Sequence, residues 1–135
     1  MVHVVQHSVT LPAAPDRLYR QYLDPVAHAA FTGGGEVQIA AKVGAEFVGF
    51  GGRITGCILA LTAGRQVVQS WRSSEFQAGE LDSILVLTFT AEGKGSRVDL
   101  VQTSVPEHLH QTLQNNWPMR YFDPWRAWLE QNPAT

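Results

Sequence analysis

The chain has 135 residues, of which 44% are hydrophobic and 16% charged, with a formal net charge of −2 and a pI of about 6.2. This composition is typical of a globular domain with few surface charges, and it excludes the basic stripe of a nucleic-acid-binding protein. We therefore expect one domain over residues 1–135 and no nucleic-acid partner.

The sequence gives no sign of a membrane segment or of an oxidising compartment. Its first ten residues mix polar and apolar side chains, unlike a signal peptide, and no apolar run reaches the length of a membrane span. The single cysteine, Cys57, has no partner for an internal disulfide, which suits a reducing compartment. We expect a cytoplasmic protein in which Cys57 is a small buried side chain rather than a nucleophile.

The first part of the chain predicts a strand followed by two short helices. Residues 2–11 are rich in valine and alternate loosely, as a strand does. Pro15 suits the first turn of a helix, which should end at Asp24 because the residue before Pro25 is pushed out of the α region. A second helix is predicted over residues 26–31, and a run of glycines follows it.

The middle of the chain alternates apolar runs with glycine-containing turns, which predicts an antiparallel meander rather than βαβ units. Six strands are predicted here, over residues 36–41, 46–50, 53–61, 67–71, 83–90 and 97–105. A long helix is predicted over residues 107–131, where large apolar side chains recur every four residues: Leu109, Leu113, Trp117, Tyr121 and Trp125. Pro118 lies inside this pattern and should kink or divide the helix.

These elements assemble economically in one way. The sheet curls, the C-terminal helix lies across its concave face, and the two short helices close one end. The predicted fold class is α+β of the helix-grip type, with a curved antiparallel sheet of six or seven strands around a long C-terminal helix and two short helices after the first strand. Because such a sheet does not always close tightly on its helix, we expect a cavity between them.

Six stretches, taken in order along the chain, resemble the C-terminal domain of the activator of the heat-shock-protein-90 ATPase, within the START-like superfamily. They are residues 44–47 (GAEF), 50–56 (FGGRITG), 67–72 (VVQSWR), 83–89 (SILVLTF), 102–106 (QTSVP), and Trp117 with Tyr121 and Phe122. The resemblance implies a helix-grip fold with a helix-covered cavity. It also implies a heat-shock protein 90 homologue as an alternative partner.

Strand alternation, with the register that the resemblance implies, assigns side chains to the cavity. The candidate ligand-binding residues are Phe31, Gln69, Trp71, Phe76, Ser83, Leu85, Leu87, Phe89, Leu100, Gln102, Leu113, Trp117 and Tyr121. Three of them, Gln69, Ser83 and Gln102, are polar groups that would each cost about 1–3 kcal/mol if buried without a partner. Bonds among them and ordered water are favoured over the polar end of a ligand.

Catalytic and metal-binding patterns are not evident. The histidines lack a third ligand at a recognisable spacing, so we expect no metal and no cofactor. An acid–base group in the cavity would have to be His28 or Glu75. We expect Arg72 to pair with Glu75 on the surface, and the alternative is that its guanidinium anchors a ligand carboxylate.

Three functions fit this pattern. A binding domain for a small hydrophobic or amphipathic molecule is favoured, and a chaperone-binding domain is the alternative that the resemblance implies. A cyclase-like enzyme, also known among START-like folds, is the third. We expect a protein without enzymatic activity, as a monomer or a homodimer.

Overall fold

The computed structural model describes residues 2–133. Its strands are β1 (Val2–Leu11), β2 (Glu46–Gly49), β3 (Ile54–Thr62), β4 (Gln66–Ser73), β5 (Ser83–Glu92) and β6 (Gly95–Pro106). They form one antiparallel sheet in the order β1-β6-β5-β4-β3-β2, so β2 to β6 are a meander and β1 pairs with its last strand. The predicted antiparallel sheet is confirmed.

Irregularities in the pairing help the sheet to curl. The register between β1 and β6 shifts between His3 and Val5, and that between β3 and β4 shifts between Ile58 and Ala60. An extra residue on one strand bends that strand and increases its local twist. The concave face is buried and carries the side chains that strand alternation predicts: Val67, Gln69, Trp71, Ser83, Leu85, Leu87, Phe89, Val98, Leu100 and Gln102.

One residue ends the first short helix and caps the second. Helix α1 (Pro15–Leu23) and helix α2 (Pro25–Thr32) both begin with proline at the first position. Asp24 has an extended backbone between them, and its carboxylate accepts a hydrogen bond from the Val26 amide at 2.9 Å. The dipeptide of Asp24 and Pro25 therefore sets the turn between the two helices, as the sequence predicts.

The C-terminal helix runs from Glu107 to Gln131 without a break, although its geometry changes along its length. A 3₁₀ turn (Glu107–Leu109) leads into α3 (His110–Asn116), then a π-helical turn (Trp117–Phe122), then α4 (Asp123–Gln131). The Asp123 amide donates to the Pro118 carbonyl, five residues back. The predicted kink at Pro118 is thus replaced by a wider turn, a common form of helix irregularity.

Pro118 also frees a carbonyl that another element uses. In a regular α-helix the Gln114 carbonyl would accept from residue 118, which as proline has no N–H. The imidazole of His7, on β1, donates its Nε2–H to that carbonyl at 2.8 Å. The edge strand therefore satisfies the backbone group that Pro118 leaves open.

The predicted strand over residues 36–41 is wrong. Gln38 forms only an isolated bridge with Val48, through two backbone hydrogen bonds of 2.8 and 2.9 Å. Val37 and Ile39 are buried while Gln38 is exposed, so the alternation that suggested a strand is present. Only one position of this segment is bridged to β2, whereas β2 pairs along its whole length with β3.

The short helices and the C-terminal helix pack together over the concave face. The Trp125 ring stacks on Phe31, with 4.1 Å between ring centroids, and its indole N–H donates to Gln21 Oε1 at 2.9 Å. Tyr19 packs edge-on against Phe89 of the sheet, at 6.3 Å. Among residues 2–133, no helix combines the length and the apolar character that crossing a membrane requires.

Candidate functional site

A line of buried hydrogen bonds joins the C-terminal helix to the middle of the sheet. Trp117 donates its indole N–H to Gln102 Oε1 at 2.9 Å, and Gln102 Nε2 donates to Ser83 Oγ at 2.9 Å. Ser83 Oγ donates in turn to the Trp71 carbonyl at 2.6 Å. Gln102 and Ser83, which strand alternation places inside, are therefore satisfied by each other and by groups of the fold.

A second buried polar group lies where α1 and α2 meet the sheet. The Tyr22 hydroxyl donates to Gln69 Oε1, so a helix residue satisfies this amide rather than the other polar strand residues. His28 donates its Nδ1–H to the Tyr22 carbonyl at 2.7 Å. The Tyr121 hydroxyl donates to His28 Nε2 at 3.0 Å, which links the short helices to the C-terminal helix.

Burial fixes the protonation of this group. His28 is fully buried among the rings of Tyr22, Phe31, Phe47 and Tyr121. Desolvation lowers the pKa of His28 from 6.5 to about 4, and its bond to the Tyr22 carbonyl offsets only part of that shift. Burial also raises the pKa of Tyr121 above its usual value. At neutral pH the tyrosine therefore donates and the imidazole accepts.

A cleft of about 330 Å³ lies beside this interior, between the C-terminal helix and the end of the sheet where β3 begins and β4 ends. Its volume is at the lower end of the range for small-molecule sites, roughly 300–1,000 Å³. The apolar wall consists of Phe50, Ile54, Trp71, Leu113, Trp117 and Tyr121. The polar lining consists of Arg53, Ser73, Ser74, Glu75, Asn116 and Arg120.

Phe50 borders both this cleft and a second one of about 390 Å³, which reaches Met119 and Pro124. Its φ of +49° is a conformation that bulky residues rarely adopt. The ring packs against Tyr121, with 5.6 Å between centroids, and lies 2.2 Å from where a Cβ on Gly34 would stand. Only glycine at position 34 leaves room for the ring here.

The charged side chains around the first cleft include Glu75, one of the two acid–base groups considered from the sequence, but not His28 or Arg72. Arg53 and Arg120 line both clefts, and Glu75 supplies a carboxylate to the first. The expected pairing of Arg72 with Glu75 is wrong. Arg72 donates to Asp82 Oδ1 at 3.2 Å and to two backbone carbonyls of the loop after β4, so its guanidinium holds that loop.

The predicted cavity residues are divided between the cleft and the packed interior. Those that line the cleft are Trp71, Leu113, Trp117 and Tyr121. Those that are buried but do not line it are Phe31, Gln69, Phe76, Ser83, Leu85, Leu87, Phe89, Leu100 and Gln102. The sheet, helix α2 and the loop after β4 pack together at these positions, so their side chains fill the space that a larger cavity would need.

Sequence reasoning named Glu75 as a possible cavity group but missed the rest of the polar lining, although one signal was present. Arg120 follows Asn116 by four residues and Trp117 by three, so all three lie on the same helix face. Arg53 lies at the end of the 3₁₀ turn Phe50–Gly52, whose backbone path the glycine pattern does not define. Within residues 2–133, no three His, Cys, Asp or Glu side chains are grouped so that they could hold a metal ion.

The family of the chain follows from a match over most of its length. The family model described as activator of Hsp90 ATPase homolog 1-like protein matches residues 12–130. The chain belongs to this family. The resemblance that the six stretches carry is therefore confirmed.

One curated relative matches part of the chain. An activator of 90 kDa heat shock protein ATPase homolog from Dictyostelium discoideum is 31% identical over 81 residues, which are 59% of this chain and 21% of the relative. The chain thus spans about a fifth of that relative's length.

Two solved structures share the fold. An HSP90 activator from Plasmodium falciparum superposes with a TM-score of 0.83 at 17% identity and covers 96% of both chains. A protein from Chromobacterium violaceum gives a TM-score of 0.75 at 25% identity, over 94% of this chain and 96% of the other. The predicted helix-grip fold is confirmed.

Proposed function

We propose that this protein binds a small hydrophobic or amphipathic molecule in the cleft beside Trp117. The observation that carries the proposal is the cleft of about 330 Å³ walled by Trp71, Trp117, Tyr121 and aliphatic side chains. Rigid aromatic walls bury apolar ligand surface at little cost in conformational entropy. The helix-grip fold supports the proposal because it places a helix over a curved sheet without filling the whole space between them.

A ligand that stays bound during purification would identify the class of molecule that the cleft binds. Native mass spectrometry of the freshly purified chain should show a co-purifying mass in the range of a small molecule. Melting temperatures are then measured with four probes, decanoate, decan-1-ol, 2-naphthoate and 2-naphthalenemethanol. A probe present at about 100 times its Kd stabilises the folded state by about 2.7 kcal/mol, and the shift grows with its concentration.

Two adjacent asparagines provide a matched pair of variants. Asn116 is half-buried and lines the cleft, whereas Asn115 is exposed and does not line it. Asn116→Trp should fill the cleft and abolish the shift, and Asn115→Trp should leave it unchanged. No co-purifying mass and no shift with any probe, or a shift that survives Asn116→Trp, would contradict binding in this cleft.

The second candidate function is an interaction with a heat-shock protein 90 homologue. The match to the activator family over residues 12–130 and the 31% identity to a homologue of that activator favour it. The test is the ATPase rate of a purified heat-shock protein 90 homologue with and without this chain. A concentration-dependent stimulation would support this function, and no stimulation together with no complex in a pull-down would exclude it.

We further propose that the cleft binds its ligand without chemical conversion. The titratable side chains that line it are Arg53, Glu75, Arg120 and Tyr121. Burial raises the pKa of Tyr121, and its hydroxyl already donates to His28, which disfavours it as an acid or base. Of the two acid–base groups that the sequence suggested, His28 does not line the cleft and Glu75 is exposed to solvent, which also favours binding without conversion. A ligand recovered unchanged after long incubation at stoichiometric protein supports this proposal, and a new product that forms in proportion to protein concentration contradicts it.

A further inference from the structure

Two arginines at the cleft differ from most others in having no partner among the described residues. Among residues 2–133, Arg53 and Arg120 form no side-chain hydrogen bond and no ion pair, and neither does Arg65 at the β3–β4 turn. The other arginines each bind a carboxylate or a backbone carbonyl: Arg17, Arg20, Arg72, Arg97 and Arg126. Two unpaired guanidiniums therefore line one cleft.

The fold holds both arginines at the cleft from opposite sides. Arg120 projects from the π-helical turn, on the face that it shares with Asn116 and Trp117. The backbone of Arg53 is fixed on the sheet side, since its carbonyl accepts from the Ser74 amide at 2.8 Å. Each arginine lines both the first cleft and the neighbouring one.

The same region has more hydrogen-bond donors than acceptors. A guanidinium is a donor that cannot accept, and Arg53 and Arg120 both lack an acceptor among the described residues. Glu75 is the one carboxylate among the lining residues, against Arg53 and Arg120. The lining is therefore suited to a ligand that carries acceptors and a negative charge.

We propose that the ligand class is an amphipathic carboxylate, whose apolar body lies against Trp71 and Trp117 and whose carboxylate lies between Arg53 and Arg120. This inference rests on the proposed ligand-binding function and specifies its chemistry. A planar carboxylate matches the fork of a guanidinium with two parallel hydrogen bonds, which makes arginine a selective partner for it. The partly open cleft lets the charged end stay near water while the apolar end is covered.

The test compares each acid with its neutral counterpart of similar size. Affinities for decanoate and decan-1-ol, and for 2-naphthoate and 2-naphthalenemethanol, are measured by the quenching of tryptophan fluorescence at low salt. Wild type should bind each acid about tenfold more tightly than the matching alcohol, as a charge-assisted pair implies. Raising the salt to about 0.5 M should reduce that preference, since exposed charges are screened at this ionic strength.

Arginine variants locate the preference in the cleft. Arg53→Gln and Arg120→Gln should each weaken binding of the acid about fivefold or more, while the alcohol changes less than about twofold. Arg65→Gln is the matched control, because it removes one unpaired guanidinium away from the cleft and should change neither affinity. Melting curves of the three variants verify that each is folded.

The outcomes separate this inference from the function on which it rests. Alcohols that bind as tightly as the acids, or acid binding that falls equally in Arg65→Gln, would overturn the carboxylate site and leave the ligand-binding function standing. Absence of binding by all four probes together with no co-purifying mass would overturn both. Acid-selective binding that is lost only in Arg53→Gln and Arg120→Gln establishes the site.

Discussion

At the scale of single residues, the Gln102 side chain must both accept and donate a hydrogen bond in the buried interior. It accepts from the Trp117 indole and donates to Ser83, and its side chain is fully buried. Gln102→Leu keeps the approximate volume but leaves the Trp117 N–H without an acceptor, so it should lower the free energy of unfolding by about 1–3 kcal/mol. Urea denaturation measures this loss. Gln77→Leu, at an exposed loop position, serves as the control and should stay within about 0.5 kcal/mol of wild type.

His28 should make the stability depend on pH in a defined window. The pKa of His28 is about 4 in the folded protein and 6.5 when exposed, so the unfolded chain binds a proton before the folded one does. The contribution of His28 to the free energy of unfolding is therefore constant above about pH 6.5. It falls as the pH drops toward 4, by about 3 kcal/mol in total. Unfolding free energies of wild type and His28→Gln across this range isolate the contribution of this histidine.

The difference between wild type and His28→Gln isolates His28, because every other titrating group is present in both proteins and cancels. His28→Gln should be less stable than wild type at pH 7, since glutamine cannot reproduce both ring hydrogen bonds, to the Tyr22 carbonyl and from Tyr121. The difference between the two proteins should shrink as the pH falls through 6.5 toward 4. A difference that stays constant would show that His28 titrates normally in the folded state.

The sequence predicts which residues are buried better than it predicts their partners. Period-two alternation placed Gln69, Ser83 and Gln102 on the concave face, where they are. The partners Tyr22 and Trp117 come from helices, and the rotation of a helix against a sheet depends on packing rather than on spacing along the chain. Arg53 escapes such reasoning because it lies at a turn without periodicity, whereas the helical spacing of Arg120 from Trp117 was a signal in the sequence.

At the scale of secondary-structure elements, the π-helical turn and strand β1 depend on each other. The His7 imidazole occupies the Gln114 carbonyl that Pro118 leaves without a donor. His7→Leu should therefore cost about 1 kcal/mol in the wild-type background. In the Pro118→Ala background the amide of residue 118 can bond the Gln114 carbonyl instead, so the same substitution should cost less.

A double-mutant cycle measures that dependence. The coupling between positions 7 and 118 should be about 0.5–1.5 kcal/mol, with the cost of His7→Leu smaller when Ala occupies position 118. If His7→Leu costs the same in both backgrounds, the coupling is zero, and the bond from His7 does not compensate the Gln114 carbonyl for the N–H that Pro118 lacks. The sequence flagged Pro118 as an irregularity, but the donor is 111 residues earlier in the chain (118 − 7), beyond any local pattern.

Element boundaries were predictable wherever a residue imposes them sterically. Asp24 and Pro25 set the turn between α1 and α2, and the glycine at position 33 ends α2 with φ +65°. The strand predicted over residues 36–41 failed because alternation reports burial and not pairing. Burial of Val37 and Ile39 follows from the alternation, but pairing depends on the path of the chain beside β2, which periodicity does not describe.

At the scale of the whole molecule, the C-terminal helix packs against the core with one end and lines the cleft with the other. Trp125 lies at the core end, where its ring stacks on Phe31 and its indole N–H donates to Gln21. Trp117 is buried too, with its ring 4.8 Å from that of Tyr121 between centroids, but it also lines the cleft. The order and spacing of the six family stretches predicted this arrangement, while the position and size of the cleft depend on side-chain packing that periodicity does not describe.

The two tryptophans should therefore separate stability from binding. Trp117→Ala and Trp125→Ala each remove a large buried ring, and each should cost about 3–5 kcal/mol of unfolding free energy. Only Trp117→Ala alters the cleft, so only it should change the affinity for decanoate and 2-naphthoate, measured by calorimetry so that the readout does not depend on tryptophan fluorescence. Phe replaces Ala in both variants if either unfolds. Equal changes in probe affinity for the two variants would mean that the probes respond to general loosening of the fold, and the cleft beside Trp117 would no longer be the binding site.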